Sequence, residues 1–167
     1  MTQLTEICKW LEEQCGDDAL AISVRFNEPP KNKGELCLRA YKIFHPLYKK
    51  LLRRQWNKQH AQHFVLIGFQ EYGKFGNLHA HFVLGIKRVF TSEQVIVALK
   101  TLKNKFMLDV WENEDEKIRK PKEYGGEIMI QRIYSNGAYS YLIKELKITH
   151  DWHLRDNMIL CVDLFGK

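Results

Sequence analysis

Residues 61–86, AQHFVLIGFQEYGKFGNLHAHFVLGI, contain two apolar runs separated by a short glycine-rich segment. The runs cover residues 61–72 and 78–86, and both are rich in the β-branched and aromatic residues that favour strands. The five residues between them, Gly73-Lys74-Phe75-Gly76-Asn77, are typical of a turn. The stretch therefore predicts a β-hairpin, around which the rest of the chain can be ordered.

The register of this hairpin decides which side chains share a face. If Tyr72 faces Leu78 across the turn, Glu71 opposes His79 and Phe69 opposes His81. Directly opposed Cβ atoms lie about 5 Å apart, and successive residues on one face lie about 7 Å apart. Glu71, His79 and His81 are therefore predicted to converge on one cation. A His-x-His pair on a strand is by itself more often an exposed or partly hydrogen-bonded pair than a metal site. The added carboxylate of Glu71 is what favours binding of a metal.

Two imidazoles and a carboxylate leave several positions open on an octahedral ion such as Mn²⁺ or Mg²⁺. Phosphate oxygens would suit those positions. Non-haem iron and cupin-type centres use a similar donor set, but they need a further ligand on a larger β-scaffold than a chain with this helix content predicts.

Periodicity and turn signals predict seven further elements outside the hairpin. They are helix 5–15, strand 20–26, a helix from about 35 with a kink or break at Pro46, helix 95–106 after a capping box at 91–94, strand 127–134, helix 138–147 and strand 158–164. Residues 112–122 are charged, and the proline and glycines around them argue against continuous structure.

After its first helix, the order of elements is βαββαβ with one further helix and strand. This order predicts an α+β domain over residues 1–167, with a ferredoxin-like (split βαβ) central antiparallel sheet of about five strands. A chain of 167 residues is long enough to form one such core.

Composition excludes several classes of protein. No apolar run approaches the ~20 residues that span a bilayer, and the first residues lack a signal-peptide pattern, so we expect a protein of the bacterial cytoplasm or of replicating DNA that is neither secreted nor membrane-bound. The four cysteines show no C-x-x-C spacing and are predicted to be reduced. A zinc site of Cys161, His150 and His153 would lack a fourth ligand at a sensible spacing.

Positive charge is concentrated between residues 31 and 58. This segment has nine basic residues and one acid, a local balance of +8, whereas the whole chain carries +6 and the other 139 residues therefore carry −2. Such a stripe either attracts a polyanion or forms a solvated helix face. Tyr48 and Trp56 could stack on bases or belong to the core. The candidate DNA-binding residues are Arg25, Lys49, Lys50, Arg53 and Arg54.

The predicted helix 138–147 carries a candidate nucleophile. Tyr141 and Lys144 are three residues apart and share a helix face, whereas Tyr139 lies about 200° away from Tyr141 around the helix. Tyr141 is therefore the candidate nucleophile with Lys144 beside it, and Tyr139 is predicted to be a core or stacking residue.

Glu71, then Leu78-His79-Ala80-His81, then Tyr141-Leu142-Ile143-Lys144 resemble the HUH endonuclease superfamily. The resemblance is greatest to its Rep group, the initiators of rolling-circle replication in plasmids and single-stranded DNA viruses. It spans residues 22–144, with the strand at 22–26 in the place of the family's first motif. The sequence departs from the family in two places. Ala80 is smaller than the hydrophobic residue usual between the histidines, and Ser23 and Arg25 stand where threonine is more frequent.

The resemblance implies a nicking and strand-transfer enzyme that acts on single-stranded DNA or an origin stem-loop. Glu71, His79 and His81 would hold Mn²⁺ or Mg²⁺, Tyr141 would form a 5′-phosphotyrosine, and Lys144 would steady the developing charge. The sequence has no G-x-x-x-x-G-K-[ST] motif, so the protein either uses a separate helicase or is an excised nuclease domain.

Three other interpretations remain open at this point. Within the HUH class, a transposase or a mobilisation relaxase is possible, although relaxases usually carry a third histidine where this chain has Glu71. The third is a non-catalytic module like the RNA-recognition domains, which share the predicted topology but present stacking aromatics on their sheet.

Overall fold

Six strands form one mixed sheet within the part of the chain that the computed structural model describes, residues 3–73, 77–87, 89–113, 123–133, 139 and 154–166. The strands are β1 (Ala19–Arg25), β2 (Phe64–Tyr72), β3 (Leu78–Ile86), β4 (Asp109–Glu112), β5 (Glu127–Ile133) and β6 (Met158–Leu160). Their order across the sheet is β4-β5-β1-β3-β2-β6. All neighbouring pairs are antiparallel except β4 and β5, which are parallel.

The helices of the described residues connect or cover these strands. They are α1 (Gln3–Cys15), α2 (Lys33–Leu52), α3 (Trp56–His63), α4 (Ser92–Thr101), α5 (Lys103–Phe106), α6 (Leu154–Asn157) and α7 (Cys161–Phe165), with a 3₁₀ turn at Arg53–Gln55 between α2 and α3. None of these helices is both long enough and apolar enough to cross a bilayer.

The strand order contains two interleaved crossovers. Because β1 and β2 both run antiparallel to β3, they are parallel to each other with β3 between them. In the same way, β3 and β5 are parallel with β1 between them. The α2–α3 segment joins the first pair and α4–α5–β4 joins the second. The α+β prediction is confirmed, but the sheet is mixed rather than antiparallel and has six described strands rather than about five.

The sheet differs from the prediction chiefly in short segments whose partners are distant. β4 was not predicted, and it is held in place by Asp109, whose buried carboxylate accepts hydrogen bonds from the backbone N–H groups of Glu123 and Tyr124 at 3.2 and 3.0 Å. The predicted strand 158–164 ends at Leu160. There Asp163 accepts a hydrogen bond from the Leu160 N–H at 2.7 Å and starts α7 instead.

A strand boundary and the break considered at Pro46 also need correction. Residues 61–63 belong to the end of α3 rather than to β2, because the N–H of Phe64 still bonds to the His60 carbonyl and closes the last helical turn. Pro46 does not break the second helix. It lies within the continuous α2, and its side chain is buried on the apolar face of that helix. The capping box at Thr91 and Gln94 is confirmed and begins α4.

Helices cover the two faces of the sheet to different extents. On the face that we call the α2 face, residues such as Ile22, Phe82 and Ile130 are fully buried beneath α2 and α4. On the opposite face, the α1 face, α1 packs Leu11 and other apolar residues against Ala21, Ile67, Phe69 and Val83. Ser23, Glu71, His79 and His81 also lie on the α1 face.

The cysteines of the described residues are unpaired thiols, as predicted. Cys15 is the last residue of α1 and packs against the α1 face of the sheet, where burial raises the pKa of its thiol to about 12. The sulfur of Cys161 lies 3.8 Å from the Nδ1 atom of the buried His60. The two histidines of the alternative zinc site, His150 and His153, lie outside the described residues.

The close approach of α1 to β3 gives a test of this packing. A Cβ atom added at Gly85 would lie 2.7 Å from both the Cα and the carbonyl oxygen of Cys15, and neither backbone atom can rotate away. We expect Gly85→Ala to destabilise the protein by about 1–3 kcal/mol, as overpacking does. Val97→Ala, at an exposed position of α4, should change stability by less than about 0.5 kcal/mol. Urea unfolding of both variants measures the difference, and an unchanged midpoint for Gly85→Ala would contradict the α1–β3 contact.

Candidate metal centre

The register of the β2–β3 hairpin is the one that the sequence predicts. Tyr72 pairs with Leu78, Glu71 with His79, and Phe69 with His81. Alternate residues of β3, including Ala80 and Phe82, are buried on the α2 face. His79 and His81 therefore project onto the α1 face together with Glu71.

The three side chains meet through one carboxylate oxygen. Glu71 Oε2 lies 2.7 Å from His81 Nε2 and 3.1 Å from His79 Nε2. One ligand atom from each residue can be chosen so that all three lie within 4.8 Å of one another. The side chains are between 10% and 15% exposed, so the cluster is shielded yet reachable from solvent.

The electrostatics of the cluster favour an ionised glutamate and a neutral imidazole. Burial by itself would raise the pKa of Glu71, but the hydrogen bond from His81 and the charges of both histidines outweigh burial and lower it. Burial, together with the neighbouring His81, lowers the pKa of His79 even though Glu71 acts in the opposite direction. A carboxylate and a neutral imidazole are the forms in which these side chains bind a metal.

The strand next to β3 supplies a further partner that the sequence analysis missed. Ser23 on β1 pairs across the strands with His81, and its Oγ lies 2.9 Å from His81 Nδ1. Both ring nitrogens of His81 are therefore engaged, Nε2 by Glu71 and Nδ1 by Ser23. Because β1 is nearly sixty residues from β3 in sequence, only the pairing of the two strands reveals this contact.

The arrangement fits a divalent metal. Three donors of mixed nitrogen and oxygen type come from two hydrogen-bonded strands, so the backbone ladder limits their relative movement. Ligating histidines usually engage their second ring nitrogen with another polar group, as His81 does with Ser23. A metal here would be held by Glu71, His79 and His81, and ligand positions would remain for oxygen atoms of a substrate.

The candidate catalytic pair cannot be placed relative to this centre, since Tyr141 and Lys144 lie outside the described residues. Tyr139 is described. It is 2% exposed, packs on the α1 face with Phe69 and Val83, and donates a hydrogen bond from its hydroxyl to the Gly16 carbonyl at 2.7 Å. Tyr139 is thus a core residue, one of the two roles expected for it.

The candidate DNA-binding residues fall on different faces of the sheet. Arg25 lies on β1 two residues beyond Ser23, so it shares the α1 face with the histidines. Its side chain is 61% exposed and only loosely paired with Glu127, at 4.0 Å. The other four lie at or just beyond the end of α2, on the opposite side of the sheet, and are exposed: Lys49, Lys50, Arg53 and Arg54. None of these four forms an ion pair with a described carboxylate.

The two aromatic residues considered for base stacking belong instead to the packing of α2 and α3. Tyr48 is 1% exposed and stacks between Phe64 and His60, at ring-centroid distances of 5.2 and 5.5 Å. Trp56 is partly buried against the same core.

Comparisons with known proteins add no relative to this geometry: no protein-family model matches the sequence, and neither the curated proteins nor the solved structures include a match.

Removal of single ligands tests the metal centre. We expect the wild-type protein to bind one equivalent of Mn²⁺, with about 2.7 kcal/mol of added stability at a Mn²⁺ concentration of 100 times Kd. Glu71→Gln, His79→Ala and His81→Ala should each weaken Mn²⁺ binding at least about 10-fold, because each removes one of the three donors that the described residues supply. His63→Ala, on α3, is the matched control and should bind like wild type. Calorimetric titration measures all five proteins, and undiminished affinity in the three ligand variants would rule out this site.

Proposed function

We propose that the protein is a metal-dependent, single-stranded DNA endonuclease and strand transferase of the HUH type, most like the Rep initiators of rolling-circle replication. The observation that carries this proposal is the convergence of Glu71, His79 and His81 on one face of a paired hairpin. The order of the sequence motifs adds to it, with the Tyr141 and Lys144 motif following the hairpin.

The strand order is consistent with this proposal. The order β5-β1-β3-β2, taken alone, supports a ferredoxin-like sheet, in which α2–α3 and α4–α5 would be the two crossovers. In this arrangement the His-x-His strand is central, so both of its edges are hydrogen-bonded. A ligand strand held on both sides is a rigid support for a catalytic site.

The proposed chemistry is a transesterification. A divalent cation, when bound, supplies Lewis-acid polarisation of the scissile phosphate. Tyr141 attacks the phosphorus through its phenolate oxygen, the bond to the 3′ oxygen breaks, and a 5′-phosphotyrosine and a free 3′-hydroxyl result. Lys144, three residues after Tyr141 in the sequence, would steady the negative charge on the tyrosinate or on the phosphate. The reverse reaction with a new 3′-hydroxyl rejoins the strand.

Nucleic-acid binding is proposed for two separate groups of cations. Arg25, beside the histidines and largely exposed, is suited to a phosphate near the metal. The exposed cations at the end of α2, none of which pairs with a carboxylate of the described residues, lie on the other face of the sheet and would hold a different part of the polyanion.

The tyrosine assignment is tested by trapping the covalent product. With Mn²⁺ and labelled single strands taken from the DNA flanking the gene, wild type should give a protein–DNA adduct that survives denaturing electrophoresis. Tyr141→Phe should give none, because it lacks the attacking oxygen, and Lys144→Ala should form the adduct more slowly.

Two tyrosines serve as matched controls for this experiment. Tyr139→Phe loses one hydrogen bond, worth about 1 kcal/mol of stability, but should still form the adduct. Tyr72→Phe removes the hydroxyl of an exposed tyrosine that follows Glu71 in the sequence, on the other face of β2, and should also react normally. An adduct in Tyr141→Phe that disappears in Tyr72→Phe would assign the nucleophile to Tyr72. Binding of the strands without any adduct, in wild type, would favour the non-catalytic module.

The basic surface is tested separately, through the salt dependence of binding. Substituting Gln for Lys49, Lys50, Arg53 and Arg54 together should reduce affinity for a single-stranded oligonucleotide at least about 10-fold at low salt. It should also flatten the slope of log K against log salt by about 0.7 for each lost phosphate contact. Lys100→Gln with Lys103→Gln, two cations paired with Glu112 and Glu123, is the control. Fluorescence anisotropy measures binding. An unchanged slope would identify a solvated helix face instead, and Mn²⁺ affinity should not change in either case.

A further inference from the structure

Each ring nitrogen of His81 lies within hydrogen-bond distance of a polar side chain, and one neutral tautomer fits both contacts. A carboxylate can only accept hydrogen bonds, so in that tautomer Nε2 carries the hydrogen and donates it to Glu71 Oε2, 2.7 Å away. A neutral imidazole then has a bare Nδ1. The Ser23 hydroxyl, 2.9 Å away, satisfies that nitrogen by donating its O–H.

Binding of a cation through Nε2 requires the other tautomer. The ligating nitrogen must offer its lone pair, so the ring hydrogen has to reside on Nδ1. Nδ1 then needs an acceptor in place of a donor. His81 is only 8% exposed, which makes an unpaired N–H at this position costly.

A serine hydroxyl can serve both tautomers without moving its oxygen. Rotation about its C–O bond turns the hydrogen away from Nδ1 and presents a lone pair to it. A neutral ring carries one hydrogen in either tautomer, and Ser23 keeps its own proton in both. An alanine would leave Nδ1 unpaired in both states, and a carboxylate could accept but never donate.

We infer that Ser23 is a positioning residue for the metal centre, whose reversible hydrogen bond to Nδ1 lets His81 release Nε2 from Glu71 and present it to a divalent cation. This inference rests on the metal centre proposed above and goes beyond it, since Ser23 is not one of its three candidate ligands. The cross-strand pairing of Ser23 with His81 in the middle of the sheet keeps the two groups in register.

Mn²⁺ titration of three serine and threonine variants tests the role of the hydroxyl. Ser23→Ala should weaken binding about 10- to 100-fold, the usual effect of losing such a partner. Ser23→Thr, which keeps the hydroxyl, should bind within about threefold of wild type. Ser92→Ala removes a serine that donates to Asp18 at the start of α4, away from the metal ligands, and should bind like wild type. Equal affinity of Ser23→Ala and wild type would overturn the inference.

Nitrogen NMR of His81 supplies a measurement that a merely structural role of Ser23 would not change. Long-range ¹H–¹⁵N spectra, with diamagnetic Mg²⁺ as the probe, should show the hydrogen on Nε2 without metal and on Nδ1 with it. A wild-type ring that keeps its hydrogen on Nε2 when Mg²⁺ is bound would overturn the inference even if Ser23→Ala fails to fold. Failure of wild type to bind either metal would refute the metal centre itself, whereas binding without dependence on Ser23 would refute only the role of Ser23.

Discussion

The register between β2 and β3 is the constraint on which the site depends. Side chains alternate between the two faces of a strand, so a slip of one residue would exchange every residue of β3 between the faces. The α2 face prevents such a slip, because Ala80, Phe82 and Leu84 are all fully buried there. The free energy that keeps His79 and His81 on the α1 face therefore comes from apolar packing on the other side of the sheet.

Gly68 shows how tightly this register is held. It pairs with Phe82, and a Cβ atom at position 68 would lie 2.4 Å from the ring of that phenylalanine. The Phe82 ring thus occupies the space above Gly68. It also packs edge-on against the ring of Phe44 on α2, with the ring centroids 4.9 Å apart. This one aromatic side chain therefore joins the hairpin to the helix, and the candidate metal ligands lie on a part of the sheet that has little freedom to shift.

The part of the candidate site whose contacts are local could be predicted from the sequence. A five-residue turn and two apolar runs are enough to pair Glu71 with His79, and the structure has this pairing. The position of β1 beside β3 is different in kind. It depends on which edge of the β2–β3 hairpin lies beside β1 once the α2 crossover has joined β1 to β2. The residues of β1 do not indicate that edge. Ser23 was therefore assigned to a motif without a partner, although its contact with His81 is as close as an ordinary hydrogen bond.

The short strands were missed or misjudged for a related reason. β4 and β6 have only four and three residues, too few to show a period, and each is defined by the longer strand that it joins. The end of β6 depends on a single capping carboxylate, Asp163. A pattern of hydrophobic residues does not distinguish that helix start from four more residues of strand.

The small residue between the histidines illustrates how the two faces divide their tasks. Ala80 is fully buried and belongs to the α2 face, so its methyl group points away from the ligands on either side of it. Its size is therefore set by the space beneath the helices, where Leu78 and Phe82 are its neighbours along the same face. A larger residue would act on the site only by displacing the backbone of β3. The difference from the bulky residue usual in the proposed HUH family therefore bears on core packing and leaves the candidate donor set of Glu71, His79 and His81 intact.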